Sequence, residues 1–206
     1  MNATQIIPRF EFRVFGQNLE KLEARMKELA PLEKTRHITS IYLLSAGIDK
    51  NNIKIRDGIM DIKELEQMAR GLEQWNPYLV GEFPLSKEIL RTVVFPAFGI
   101  ESPYFEREEY TLDQFINELV KEDPDIKVAF VNKTRYAYTI NDCIAEIAHI
   151  TVNGAFIRTV CVEDEIPEKV LEAKKMLGIT DERENVSYPL ALKRIMGLSS
   201  LPEHWK

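Results

Sequence analysis

The sequence predicts an α+β fold built on an antiparallel sheet or barrel. Three observations predict it. Segment after segment alternates apolar and charged residues, as strands with one dry face do. Asp57-Gly58 and Asn153-Gly154 are dipeptides that close two-residue hairpins. Between these stretches lie a few apolar stripes at helical spacing.

The pattern starts at Arg9-Phe10-Glu11-Phe12-Arg13-Val14-Phe15, where Arg9, Glu11 and Arg13 share one face and Phe10, Phe12 and Val14 the other. A helix follows over 19–29, with Leu19, Leu22, Met26 and Leu29 as a core stripe, and Pro31 ends it. Residues 37–45 read as a strand and 47–52 as a turn. Strand 52–56 puts Lys54 and Arg56 on one face. Its partner 59–63 returns with Asp61 and Lys63 on one face and Met60 and Ile62 on the other. Residues 64–72 read as a helix, Trp75-Asn76-Pro77 as a turn, and Ser86 as the cap of a short helix to about Leu90. Residues 92–95 read as a strand, as do 104–110, which carry Arg107. Thr111 caps a helix through about Val120. Strand 127–139 aligns Val131, Lys133, Arg135 and Ala137. Strands 143–152 and 155–163, around Asn153-Gly154, align Glu146 with Ala148 and Ile150, then Thr159 with Cys161 and Glu163. Pro167 suits the first turn of a helix that Gly178 closes, and Pro189 that of a last helix through Met196. With no linker or repeat, the 206 residues read as one domain, 1–206.

Composition narrows the function. Hydrophobic residues at 45% and charged residues at 29% are those of a globular protein. A net charge of −6 argues against broad nucleic-acid or anionic-membrane binding. There is no apolar run of bilayer length and no signal-peptide pattern at the N-terminus, so a cytoplasmic location is expected. Cys143 and Cys161 have no CxxC spacing and read as buried free thiols. His37, His149 and His204 form no metal motif.

The charged strand faces decide the rest. In an open sheet they are a solvated exterior. In a closed barrel they line a lumen, where each buried charge needs a partner. Cations outnumber carboxylates on that face, which suits a bound polyanion. Arg and Lys would take successive phosphate oxygens. Carboxylates would hold Mg²⁺ or Mn²⁺. Phosphoryl transfer needs positioning and charge neutralisation more than a nucleophile.

In this order the motifs resemble the CYTH, or triphosphate tunnel metalloenzyme, superfamily. Arg9-Phe10-Glu11-Phe12-Arg13 falls where its ExExK strand would be, Lys54-Ile55-Arg56 on its RxR strand, and Lys63 on the following Lys. Arg107 resembles the next Arg, Lys133-Thr134-Arg135 the KxR strand, and Glu146 and Glu163 the late carboxylates. The resemblance implies an eight-stranded antiparallel β-barrel tunnel with helices packed outside. It implies metal-dependent hydrolysis of an inorganic or organic triphosphate. Phosphates would be held by Arg13, Lys54, Arg56, Lys63, Arg107, Lys133 and Arg135, and Mg²⁺ or Mn²⁺ by Glu11, Glu146 and Glu163. Glu11, Lys63 and Arg135 would serve catalysis. The partner is a small-molecule triphosphate or nucleotide, with homodimer formation left open. Two alternatives stand beside it: a non-catalytic polyphosphate- or nucleotide-binding module, and a class IV-type adenylyl cyclase, for which no base-recognition feature is visible. Arg9 departs from the pattern by replacing the first Glu of ExExK. The phosphate-binding side is thus better kept than the metal-binding side.

Overall fold

The computed structural model describes residues 7–201. Eight strands close into an antiparallel barrel: β1 (Arg9–Gly16), β2 (Lys34–Ser45), β3 (Asn51–Arg56), β4 (Ile59–Ala69), β5 (Leu72–Glu82), and the long strands Ile126–Ile140, Cys143–Val152 and Ala155–Asp164. Two short strands, β6 (Leu85–Ser86) and β7 (Glu109–Tyr110), pair separately, so the long strands are β8, β9 and β10. Around the barrel the order is β1-β10-β9-β8-β2-β3-β4-β5, closed by β5 on β1. The expected fold class and strand number are observed.

Four hairpin turns share one backbone solution. Asp57-Gly58, Arg70-Gly71, Asn141-Asp142 and Asn153-Gly154 all have positive φ at both residues, the two-residue turn whose twist matches that of the flanking strands. Arg70-Gly71 corrects the expected helix over 64–72. Residues 64–69 finish β4, and the chain turns at once into β5. The expected turn at Trp75-Asn76-Pro77 likewise lies inside β5.

The chain divides into two compact units, with dividing points inside β2, β4, β5 and β8 and one ahead of Tyr188, where the last helix starts. In the first unit, Phe10, Phe12 and Val14 pack with Leu22 and Met26 of the Glu20–Leu29 helix and with Val170 and Ala173 of the Pro167–Met176 helix. That core takes one face of β1, β9 and β10 and leaves the charged face for the barrel interior. Gly178 closes the second helix at φ +74°. Both cysteines are buried free thiols, as expected.

In the second unit, Ile53, Ile55, Met60 and Ile62 supply the sheet side of the core. Leu90, Val94, Phe95 and Phe98 supply the helical side. These last four lie on a helical stretch, 87–98, capped by Ser86, whose hydroxyl accepts from Ile89 N at 3.3 Å. The expected strand over 92–95 is therefore absent. Burial of Val94, Phe95 and Phe98 together on one helical side outweighs the β-preference of Thr92-Val93-Val94. The middle turn, Leu90–Val94, is π-helical. Thr111 caps the helical stretch 112–120 through a capping box with Gln114. The expected strand over 104–110 shrinks to β7. A last helix, Tyr188–Ile195, has Lys193 bound to Asp49 at 2.6 Å, and Tyr188 stacks on Tyr42 with centroids 5.7 Å apart. No helix among the described residues is long and apolar enough to cross a membrane.

Candidate functional site

Register puts the charged residues of the first unit into rows. Arg13 on β1 is opposite Cys161 on β10, and Cys161 is opposite Glu146 on β9. Next to it, Glu73 on β5, Glu11 on β1 and Glu163 on β10 form a row of three carboxylates. Like charges directly opposed across strands repel. The side chains relieve the repulsion in three ways. Arg13 forks onto Glu11, with Nε 2.8 Å from Oε1 and Nη2 3.2 Å from Oε2. Arg9 stands 4.0 Å from Glu163. Glu73 carries a reduced charge near neutral pH: burial pushes its pKa up to about 7, against the hydrogen bond donated by Trp75 Nε1 at 3.1 Å. Glu11 pushes it the same way.

Glu146 is the focus of the other row. It is buried, and Arg13 Nη1 reaches its Oε1 at 3.2 Å. Lys133 Nζ stands 3.9 Å away, and Arg135 contacts its second oxygen. Burial alone would raise the carboxyl pKa. Lys133, Arg13 and Arg135 overcome it and hold the group down at about 2. Arg13 also donates to Thr159 Oγ1 at 3.3 Å. Its backbone is fixed too: Arg13 N donates to Asn185 Oδ1 at 2.8 Å, and Val186 N donates to Arg13 O at 2.8 Å. This matters because β5 pairs with β1 only over Arg9 to Glu11. Beyond that point the 185–186 segment supplies the partners that buried strand groups require.

In the second unit, Lys54 on β3 is opposite Asp61 on β4, with Nζ 2.7 Å from Oδ2. Asn52 is opposite Lys63, and Arg56 ends β3 at the Asp57-Gly58 turn. Burial lowers the Lys54 pKa and Asp61 opposes that. Lys63 and Arg56 add to the lowering, so three cations feel one another here. Arg107 is placed differently. It sits in a bend ahead of β7, on no barrel strand, with its guanidinium forked onto Glu118 at 2.8 and 3.1 Å.

The expected residues therefore fall into sets. Glu11, Arg13, Lys133, Arg135 and Glu146 are brought together, and Glu163 joins them in register. Lys54, Arg56 and Lys63 share one face of one hairpin. Arg107 is engaged on the exterior helical stretch. Sequence reasoning missed Glu73, Trp75 and Asn185. The alternation Glu73-Gln74-Trp75 after Arg70-Gly71 carried the first two, had the turn been read.

The implied divalent metal can be tested on this donor set. Glu11 has both oxygens on Arg13, Glu146 is ringed by three cations, and Glu163 faces Arg9. Glu73 resists ionisation. Among the described residues, no group of three or more His, Cys, Asp or Glu side chains is disposed to hold a metal ion. The arrangement does not fit Mg²⁺ or Mn²⁺, which need several oxygens free of competing cations.

No protein-family model matches the chain, and no curated protein does. Solved structures match it over nearly all its length. A conserved hypothetical protein from Pyrococcus furiosus aligns with a TM-score of 0.50 at 18% identity, over 89% of this chain and 99% of that one. A putative adenylyl cyclase from Hippeastrum, described as having a dominant triphosphatase activity, aligns with a TM-score of 0.51 at 14% identity, over 94% and 98%. At such identities the shared property is the fold. The chain thus shares the fold of its closed eight-stranded barrel with these two proteins.

Proposed function

We propose that the protein binds a small molecule carrying a triphosphate on the charged inner faces of its barrel strands, and that hydrolysis of a phosphoanhydride bond is the reaction it supports. One observation carries the reading: Arg13, Lys133 and Arg135 all converge on the buried carboxylate of Glu146. Arg13 also meets Glu11, so this row of strand faces gathers three cations around one buried carboxylate. Buried charge of one sign is costly unless an anion meets it. In the second unit, Lys54, Arg56 and Lys63 outnumber Asp61 in the same sense. Guanidinium forks suit phosphate oxygens, and Lys adds point charges. Held so, a phosphoanhydride has its developing negative charge neutralised by Arg135 and Lys133, and little else is asked of the protein. The fold neighbour with triphosphatase activity supports the same class of substrate.

The test is calorimetric titration with tripolyphosphate, followed by ³¹P NMR of the bound mixture. Binding with appearance of free phosphate supports the whole proposal. A second reading, binding without turnover, is favoured by the pinned carboxylates Glu11 and Glu146, which leave no obvious group to activate water. Unchanged ³¹P resonances over hours would select it.

A further inference from the structure

We propose that a triphosphate is bound here without a divalent metal, the guanidinium groups of Arg9 and Arg13 supplying the positive charge that an ion would otherwise bring. The inference rests on the triphosphate reading above and deepens it. Arg9, Glu11 and Arg13 occupy one face of one strand. Arg13 covers both oxygens of Glu11. Arg9 stands beside Glu163. Glu146, the remaining candidate ligand, has three cations within contact range. A divalent ion entering this face would have to displace a guanidinium from every carboxylate it used, and would then sit among like charges.

The charge balance points the same way. A carboxylate at position 9 would contribute −1 and the guanidinium of Arg9 contributes +1. The difference of two equals the charge of Mg²⁺. A tripolyphosphate therefore meets the same net charge from this face with Arg9 and no ion as from a carboxylate face with one. Arg also binds phosphate oxygens directly and bidentately, so no bridging ion is required for contact.

The experiment is titration of the whole protein with tripolyphosphate in EDTA, in Mg²⁺ and in Mn²⁺, together with titration of Mn²⁺ alone. Binding in EDTA at least as tight as in Mg²⁺ is expected, since Mg²⁺ complexes the free polyphosphate. Mn²⁺ alone should show no saturable binding. For Arg9→Glu, a substitution at a half-exposed strand start, affinity in EDTA should fall roughly 100-fold, because a phosphate-facing cation becomes an anion. Mn²⁺ should then recover part of it. Tripolyphosphate binding to the wild type only when Mg²⁺ or Mn²⁺ is present would overturn this inference and leave the triphosphate reading standing. Micromolar Mn²⁺ binding to the free protein would overturn it as well. Absence of binding in every buffer would overturn both.

Discussion

Two buried glutamates, Glu146 on β9 and Glu73 on β5, have pKa values moved in opposite directions, and each gives the protein a different dependence on pH. Glu146 has its pKa held at about 2 in the fold. An unfolded Glu titrates near 4.5, so the stability Glu146 contributes is complete above that pH and is lost as pH falls toward 2. Glu73 is the reverse. Its pKa of about 7 in the fold means its neutral form is favoured, and stability drains as pH rises from about 4.5 through 7. The shift corresponds to about 3 kcal/mol. Glu73→Gln should therefore flatten the fall in urea midpoint between pH 5 and 8 (roughly the window those two values set). The variant should gain on the wild type as the pH is raised. A slope unchanged by the substitution would mean that Glu73 is ionised in the fold. Glu146→Gln leaves Arg13, Lys133 and Arg135 facing a neutral amide. It should cost about 3–5 kcal/mol, as removing one partner of a buried ionic cluster does. Added tripolyphosphate should return more stability to this variant than to the wild type, because the anion replaces the missing charge. Equal stabilisation of the two proteins by tripolyphosphate would place the anion elsewhere.

At the scale of elements, β1 is held differently at its two ends. Its start is paired on both sides, by β5 and β10, and its middle depends on Asn185 and Val186. Asn185 also donates to Glu11 O and Gly71 O, each at 3.0 Å, so one side chain ties β1 to the turn that begins β5. Asn185→Ala removes these bonds and exposes none of the core. It should cost roughly 2 kcal/mol in urea unfolding. Tripolyphosphate affinity should drop with it, since Arg13 loses its backbone anchor. A variant with wild-type affinity would show that Arg13 is positioned by its side-chain contacts alone. Much of this architecture could be read from the chain. The alternation in β1, β3 and β9, the Asp57-Gly58 and Asn153-Gly154 turns, and the caps Ser86 and Thr111 are local signals, and local geometry followed them. What could not be read depended on contacts distant in sequence. Arg70 is not a residue that announces positive φ, so the β4–β5 hairpin looked like helix. Thr92-Val93-Val94 looked like strand until Phe95 and Phe98 required a helical face for the core. Glu73 and Glu11 are 62 positions apart, and only the register between β5 and β1 makes them neighbours.

Across the whole molecule, an acidic chain with net charge −6 keeps basic residues on inward strand faces. Elsewhere, acidic side chains pair with cations off these faces, as Glu168 does with Arg70 and Asp181 with Lys174. On the proposed reading the ligand of these cations is a small anion, because the net negative charge of the chain repels nucleic acid and anionic membranes at long range. The prediction is selective stabilisation. A ligand that binds only the folded state adds RT ln(1 + [L]/Kd), about 2.7 kcal/mol at a hundred times Kd. For a chain of about 200 residues this is a rise in Tm of roughly 5–10 °C. Tripolyphosphate should produce it in differential scanning fluorimetry, and monophosphate at the same concentration should not, because it reaches too few of the cations at once. The Tm rise should shrink as NaCl approaches 1 M, where the screening length falls to about 3 Å. Lys133→Ala and Arg135→Ala should each remove most of the rise, whereas Arg107→Ala should leave it intact, since that guanidinium is committed to Glu118 on the exterior. Should Arg107→Ala abolish the rise while Arg135→Ala preserves it, the anion would be bound outside the barrel and the charged strand faces would have no ligand to account for them.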